Sequence, residues 1–340
     1  GGGYATANDL RADLKAIKRE LDSSSTGELH SSSTLSFVRG RNARRLYLYG
    51  AAAAVALVAG IAGYFAFIGG SRGGANEWSS ATSVSITNQA GTEYFPSLSP
   101  DGKDIVYAGV DGGQFDIFVL RVGGKKADKL TPDSPENDTM PAFSPKGDLI
   151  AFRSERDKGG IFVVEPSGDN LRKVADFGYH PSFSPDGKQI VVSTFGREQP
   201  TVRAAPDMSL KVVDIQSGSS RDLIKLEATH PTWSPNGHRI AYWFYTGTFG
   251  RRDIATIPAE GGEPVIVAKD FAVSNWNPVW SPDGKYLYFV SSRAGNMNFW
   301  RIAIDERTGA VQGQPEPVVT PSSYSRHITF SRDGKRMAYV

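Results

Sequence analysis

One phrase, repeated six times, does most to limit what this chain can fold into. It reads PSLSPDGKDIVY from Pro96, PAFSPKGDLIAF from Pro141, PSFSPDGKQIVV from Pro181, PTWSPNGHRIAY from Pro231, PVWSPDGKYLYF from Pro278 and ITFSRDGKRMAY from Ile328. The copies lie about 40 to 50 residues apart, the period of a four-stranded propeller blade. The centre of the phrase is turn chemistry. Proline presets φ, aspartate bonds the backbone two residues on, and glycine takes a positive φ. The flanks alternate apolar and polar residues, as Ile150 with Phe152 and Ile240 with Tyr242, the pattern of half-buried strands. Each phrase is therefore a β-hairpin. Its leading proline cannot donate to a ladder, so that strand is expected at a sheet edge, facing the central channel.

A third strand is expected after each hairpin, over Asp116–Leu120, Ile161–Val164, Lys211–Ile215, Asp253–Ile257 and Phe299–Ile304. Glycine turns follow at Gly123-Gly124, Gly168, Gly218, Gly261-Gly262 and Gly309. Short fourth strands close the blades, as at Lys129–Thr131 and Val318–Thr320. The aromatic of the phrase (Phe143, Phe183, Trp233, Trp280 or Phe330) is expected to pack between blades. The 37 glycines and 20 prolines suit such a turn-rich all-β chain. These repeats resemble the TolB-like, or PD40, family of WD40-like propellers over about Ser83 to Val340. The resemblance implies an all-β propeller of four-stranded blades, with six repeats visible and the last incomplete. Ala81–Thr87 is one candidate for the strand that closes the ring; further blades beyond Val340 are the other.

Leu46 to Ile68 reads LYLYGAAAAVALVAGIAGYFAFI and has no charged residue. At about 1.5 Å per helical residue it covers roughly 30 Å, the hydrocarbon thickness of a bilayer. Tyr47, Tyr49 and Tyr64 sit near its ends, where amphipathic rings favour the interface. Arg39, Arg41, Arg44 and Arg45 flank it before, and only Arg72 stands close after. The positive-inside bias thus places the N-terminus in the cytoplasm and the propeller outside, as in a single-pass protein of a bacterial inner membrane with a periplasmic domain. A cleaved signal peptide would have a shorter basic region. Ala52, Ala56 and Gly60 recur every four positions and offer a face for a homodimer.

Before the span, Leu10, Leu14, Ile17 and Leu21 form one apolar helical stripe over Thr6–Leu21. Thr6 and Asp9 resemble a capping box, and Lys15, Lys18 and Arg19 suit the C-terminal end of the helix. The segment YATANDLRADLKAIKREL resembles the last C-lobe helix of bacterial receptor-type serine/threonine protein kinases, followed by a juxtamembrane linker. The expected organisation is a kinase-like terminal helix over 1–21, a linker over 22–45, the membrane helix over 46–68, a flexible stretch over 69–80 and the propeller over 81–340. Nothing catalytic is carried over, because the chain has no phosphate loop, no V-A-I-K lysine and no H-R-D loop. Asp176-Phe177-Gly178 spells the kinase tripeptide without that context. Gly69-Gly70-Ser71-Arg72-Gly73 fits the G-x-S-x-G pattern, but not on a strand-to-helix turn.

No catalytic residue, cofactor or metal is therefore expected, and the absence of cysteine removes disulfides and thiolate sites. A net charge of +2 gives no electrostatic case for nucleic acid. One set of positions is a candidate ligand site. The residue before the leading proline position is Phe95, Met140, His180, His230, Asn277 and His327. Blade equivalence puts these at one height, so His180, His230, Asn277 and His327 are expected at one channel mouth. Inner strands diverging from the axis would leave them as separate polar residues on a wet channel rather than a shared metal or anion site. Arg156 and Arg293, each in an S-x-R context, read as loop-fixing residues. The leading functional expectation is a sensor or binding domain, for an unknown ligand or envelope protein, of a membrane-anchored serine/threonine kinase. A membrane-anchored scaffold, a membrane-bound transcriptional regulator and a peptidase remain as alternatives.

Overall fold

The computed structural model describes residues 78, 81–87, 93–131, 135–196, 208–246, 251–269, 273–318 and 326–340. The chain divides into two units, Gly1–Ser71 and Arg72–Val340, and the described residues belong to the second. The kinase-like helix, the linker, the span Leu46–Ile68, the face of Ala52, Ala56 and Gly60, and the Gly69–Gly73 pattern lie outside the described residues. Among the described residues, no helix is long and apolar enough to cross a membrane.

Strands follow one another with the turn spacing of the sequence. The first blade is β1 (Glu93–Leu98), β2 (Asp104–Asp111), β3 (Gln114–Arg121) and β4 (Ala127–Lys129). The second is β5 (Asp138–Phe143), β6 (Ile150–Ser154), β7 (Gly160–Val164) and β8 (Arg172–Ala175). The third is β9 (Tyr179–Phe183), β10 (Gln189–Ser193), β11 (Leu210–Asp214) and β12 (Ser220–Ile224). The fourth is β13 (Ala228–Trp233), β14 (Arg239–Thr246), β15 (Arg251–Pro258) and β16 (Val265–Ala268). The fifth is β17 (Asn275–Trp280), β18 (Tyr286–Ser291), β19 (Asn298–Ile304) and β20 (Val311–Pro317). A sixth, two-stranded sheet pairs β21 (Ile328–Phe330) with β22 (Met337–Tyr339). Each four-stranded sheet is an antiparallel meander with its proline-bearing strand at one edge, as the missing N–H requires.

The phrase aromatics pack between blades as expected. Phe143 joins Val106 and Ile117 of the first blade to Ile150 and Phe152 of the second. Phe183, Trp233 and Trp280 do the same at the next three boundaries. Phe330 packs with Tyr288 and Phe299 of the fifth blade.

Three expectations shift. The fourth strand of the first blade is Ala127–Lys129, not Lys129–Thr131. The fourth strand of the fifth blade is Val311–Pro317, not Val318–Thr320. Pro315, Pro317 and Gly313 are tolerated there because β20 is an outer edge, and Val318 still donates to the carbonyl of Phe299 (2.9 Å). Ala81–Thr87 is not a strand. It lies beside the sixth sheet, with Ser83 Oγ 3.4 Å from Tyr339 OH and Ile86 against the core of Leu98, Tyr107 and Ala338. The ring is closed by the sixth hairpin itself. Ala338 packs into the first blade, Ile328 into the fifth, and Arg332 N donates to Pro100 O (2.9 Å).

Candidate functional site

The inner strands line a channel with a cavity of about 520 Å³. Its two ends are built differently.

At one end stand the phrase turns, closed by bonds local to each turn. In every copy the serine accepts the backbone N–H five residues on: Asp104 to Ser99 (2.9 Å), Leu149 to Ser144 (3.1 Å), Gln189 to Ser184 (3.0 Å), Arg239 to Ser234 (2.9 Å), Tyr286 to Ser281 (2.9 Å) and Arg336 to Ser331 (3.0 Å). The aspartate accepts from the residue two on, as Lys103 N to Asp101 Oδ1 (3.1 Å), and the glycine takes φ of +67° at Gly102. Where Lys146 replaces the aspartate, Asp148 takes over the serine bond (2.6 Å). Hydrogen bonds from the turn serine hold Asp101, Asp186 and Asp333 below the usual carboxylate range.

Asn236 departs from the aspartate of the phrase for a reason that the sequence hides. Glu306 reaches it from the fifth blade, accepting from Asn236 N (2.9 Å) and Nδ2 (2.6 Å). An aspartate would set two carboxylates together; an asparagine donates. The sixth copy carries Arg332 in place of proline, and this exposed arginine lines the channel.

At the other end lie the candidate residues. Phe95, Met140, His180, His230 and Asn277 all have φ between +49° and +57°. A non-glycine residue in this region costs of order 1–2 kcal/mol. The strain falls at β-bulges. The ladders lose register between Tyr94 and Ser97, Thr139 and Ala142, Thr229 and Thr232, and Trp276 and Val279, and β9 slips likewise against β10. Each bulge places the proline where no ladder N–H is needed and turns the preceding side chain toward the axis.

The side chains consequently meet, which corrects the expectation of residues diverging around a wet channel. The rings of His180 and His230 stack at 3.4 Å between centroids. His327 lies 4.6 Å from Phe95 and 6.1 Å from His230, and Phe95 lies 5.9 Å from His180. Asn277 Nδ2 donates to Arg326 O (2.9 Å) and sits 3.5 Å from His327 Nδ1. Burial holds His180 and His230 well below the ordinary histidine range and pushes His327 down to about 3. Charge adds to burial: His180, His327 and then Arg252 act on His230, and Arg326 acts on His327. Arg252 is itself buried between Trp243 (4.9 Å) and Trp276 (4.5 Å). Among the described residues, no three His, Cys, Asp or Glu side chains are arranged to hold a metal ion. Ligands in a tetrahedral site spread around the ion; two stacked rings do not.

The remaining motif residues hold loops. Arg156 Nε donates to Ser154 Oγ (2.8 Å) and pairs with buried Asp138 (2.5 Å); Arg293 Nε donates to Ser291 Oγ (3.3 Å). Asp176-Phe177-Gly178 is the link from β8 to β9: exposed Asp176 pairs with Lys173 (2.7 Å) and Phe177 packs on the core. Sequence reading missed Arg252, Arg332 and the Glu306–Asn236 bridge. Only Arg332 and Asn236 left a signal, as departures from the repeated phrase.

The model of the TolB beta propeller domain family, PD40, matches residues 76–242 and 179–340. The chain belongs to the TolB propeller family. It is 29% identical over 231 residues to the Tol-Pal system protein TolB of Francisella tularensis subsp. tularensis strain WY96-3418, covering 64% of this chain and 51% of that protein. The chain spans about half the length of the curated relatives it matches. The crystal structure of TolB from Acinetobacter baumannii aligns with a TM-score of 0.53 at 19% identity, over 65% of this chain and 54% of that one. An oligogalacturonate lyase from Vibrio parahaemolyticus aligns with a TM-score of 0.54 at 18% identity, over 74% and 72%. At these identities the two structures speak for the TolB-type fold alone.

Proposed function

We propose that this chain presents its TolB-type propeller outside the cytoplasm as a protein-binding scaffold, with the channel and its rims as the recognition surface. The family match to a TolB propeller carries this reading. The Francisella tularensis relative is a Tol-Pal system protein, and a propeller held to a membrane by Leu46–Ile68 suits a docking role. The bulges support it from the structure side. Strained residues cluster at functional sites, and here five of them gather at one end of the channel. The test is a photo-crosslinking residue at Pro185, on the channel lining, and another at Asp128, on the outer strand β4. One discrete envelope-protein adduct is expected from Pro185 and none from Asp128. Equal adducts, or none from Pro185, would sink the reading.

The apolar stripe of Thr6–Leu21 favours a second reading, a sensor coupled across the membrane to a serine/threonine kinase. The coding sequence upstream of Gly1 decides it: a V-A-I-K-like lysine with H-R-D and D-F-G loops would support the sensor, and their absence would remove it.

A further inference from the structure

We propose that the propeller docks on anionic phospholipid headgroups through one sector of its turn end, the sector built from the sixth hairpin and the first blade. This rests on the reading of a propeller held to a membrane by Leu46–Ile68 and names the surface it meets.

The sector is continuous and basic. Arg332 N donates to Pro100 O (2.9 Å), Arg336 Nη1 donates to Gly102 O (2.5 Å) and Val122 N donates to Lys103 O (2.8 Å), so the turns of the sixth hairpin and the first blade form one surface. Exposed on it are Arg332, Lys335 and Arg336 from the hairpin, and Lys103, Arg121, Lys125 and Lys126 from the blade. Four carboxylates stand among these seven cations: Asp101, Asp104, Asp128 and Asp333. The first three are held in ion pairs, with Lys103 (3.0 Å), Arg121 (3.2 Å) and Lys126 (3.7 Å). Among the described residues, Lys125, Arg332, Lys335 and Arg336 close no ion pair. In a four-stranded meander the first and third turns lie at the same end, and elsewhere on this end the sign reverses. The second and third blades set Asp148, Glu165, Asp169, Asp186 and Asp214 against Lys146, Arg172, Lys188 and Arg221, and the fourth adds Glu260 and Glu263. An end so divided orients in the field of a charged plane, its basic sector toward an anionic one.

The position of Trp78 favours a lipid surface over an acidic protein. Trp78 is seated beside the sector: its Nε1 donates to Tyr288 OH (3.3 Å), its ring lies 6.0 Å from that of Phe330, and it lines a crevice of about 240 Å³ with Pro282, Arg332 and Gly334. The crevice lies at the turn end, next to the sixth hairpin. Trp78 also stands ten residues after Ile68. Ten residues reach at most about 36 Å when fully extended, so the end of the expected span and this rim cannot be further apart than that. A tether of that length gives the basic sector a high effective concentration of headgroups, and a modest charge surplus then suffices.

The experiment is lysine acetylation of the full chain in lipid nanodiscs, read peptide by peptide by mass spectrometry. One set of discs is phosphatidylcholine alone; the other contains about one third phosphatidylglycerol. In the anionic discs the rates at Lys103, Lys125 and Lys335 are expected to fall at least about threefold and to recover at about 1 M salt. Lys188, exposed in the acidic sector, is expected to react equally in both. The double variant Lys125→Gln, Lys126→Gln is expected to restore most of the rate at Lys335, and Arg332→Gln to restore part of the rate at Lys103, with thermal melting of each variant to establish folding. Equal rates in the two discs, protection that survives high salt, equal slowing at Lys188, or a double variant as protected as the parent would each overturn the proposal. A chain that does not enter the discs would remove the membrane-held reading and the docking with it. A chain that enters them and reacts equally in both would leave that reading standing and reject the docking alone. The adduct at Pro185 tests the scaffold separately.

Discussion

The two ends of the channel are made from the same six phrases by opposite means. At the turn end the bonds are mostly local: each serine accepts the backbone N–H five residues on, Asp148 repairs one copy from within its own turn, and Asn236 draws Glu306 from the fifth blade. At the bulge end no copy is complete alone. His180 stacks on His230, His327 meets Phe95 at a tilt, and each belongs to a different blade. Local bonding makes an end that tolerates repetition; contact between copies makes an end where each position can hold a different residue. Individuality in this propeller is concentrated at the end that carries the strained bulges.

Acid should separate the two ends. His327 has a folded-state pKa of about 3, below the ordinary value of 6.5. Its contribution to stability is therefore fully present above about pH 6.5 and is lost as pH falls toward 3. The expected loss is of order 3–5 kcal/mol from this residue, read as a falling urea midpoint, and His327→Gln should flatten that window. The turn aspartates are held below the ordinary aspartate value of 3.8 by the turn serine, so their contribution is lost only as pH falls below that value. One undivided acid transition, unchanged in His327→Gln, would break the comparison.

Next in size is Gly102→Ala. Its φ is +67°, and an added Cβ would lie 3.0 Å from Arg336 Cδ and Ser331 Cβ of the sixth hairpin. A loss of about 2–4 kcal/mol is expected in denaturant melts. Gly112→Ala, at φ +63° with open space around it, should cost only about 1–2 kcal/mol. Asn236→Asp should follow at about 1–2 kcal/mol near neutral pH, by facing Glu306 with a second carboxylate, and should recover in acid. The smallest effect is Ser144→Ala, about 1 kcal/mol, because Leu149 N then loses its side-chain acceptor.

The same contrast explains what could be read in advance. The turn end, the strand order and the aromatic seams were legible because they depend on residues within one phrase. Gly102, Ser184 and Phe143 each declare their role by type and position. The bulge end was legible only as a set of positions. That His180, His230, Asn277 and His327 share one height follows from the repeat, but the convergence of His180, His230 and Asn277 follows from positive φ before a proline, in a residue normally pushed toward extended backbone. Arg252 gave no sign, because what buries it are Trp243 and Trp276 on other strands. The outer strand over Val311–Pro317 was obscured by its two prolines, which an edge tolerates.

The hairpin that closes the ring also sets an order in time. Leu98 N meets Thr329 Oγ1 at 3.3 Å and Arg336 Nη1 meets Gly102 O at 2.5 Å, bonds that join residues 231 and 234 positions apart. Each blade is a meander of near neighbours, whose loops close cheaply, while this seam requires nearly the whole propeller to be gathered first. Blades one to five can condense in succession as the chain emerges, but the circle is completed last, and until then the apolar flanks of the first and fifth blades face solvent.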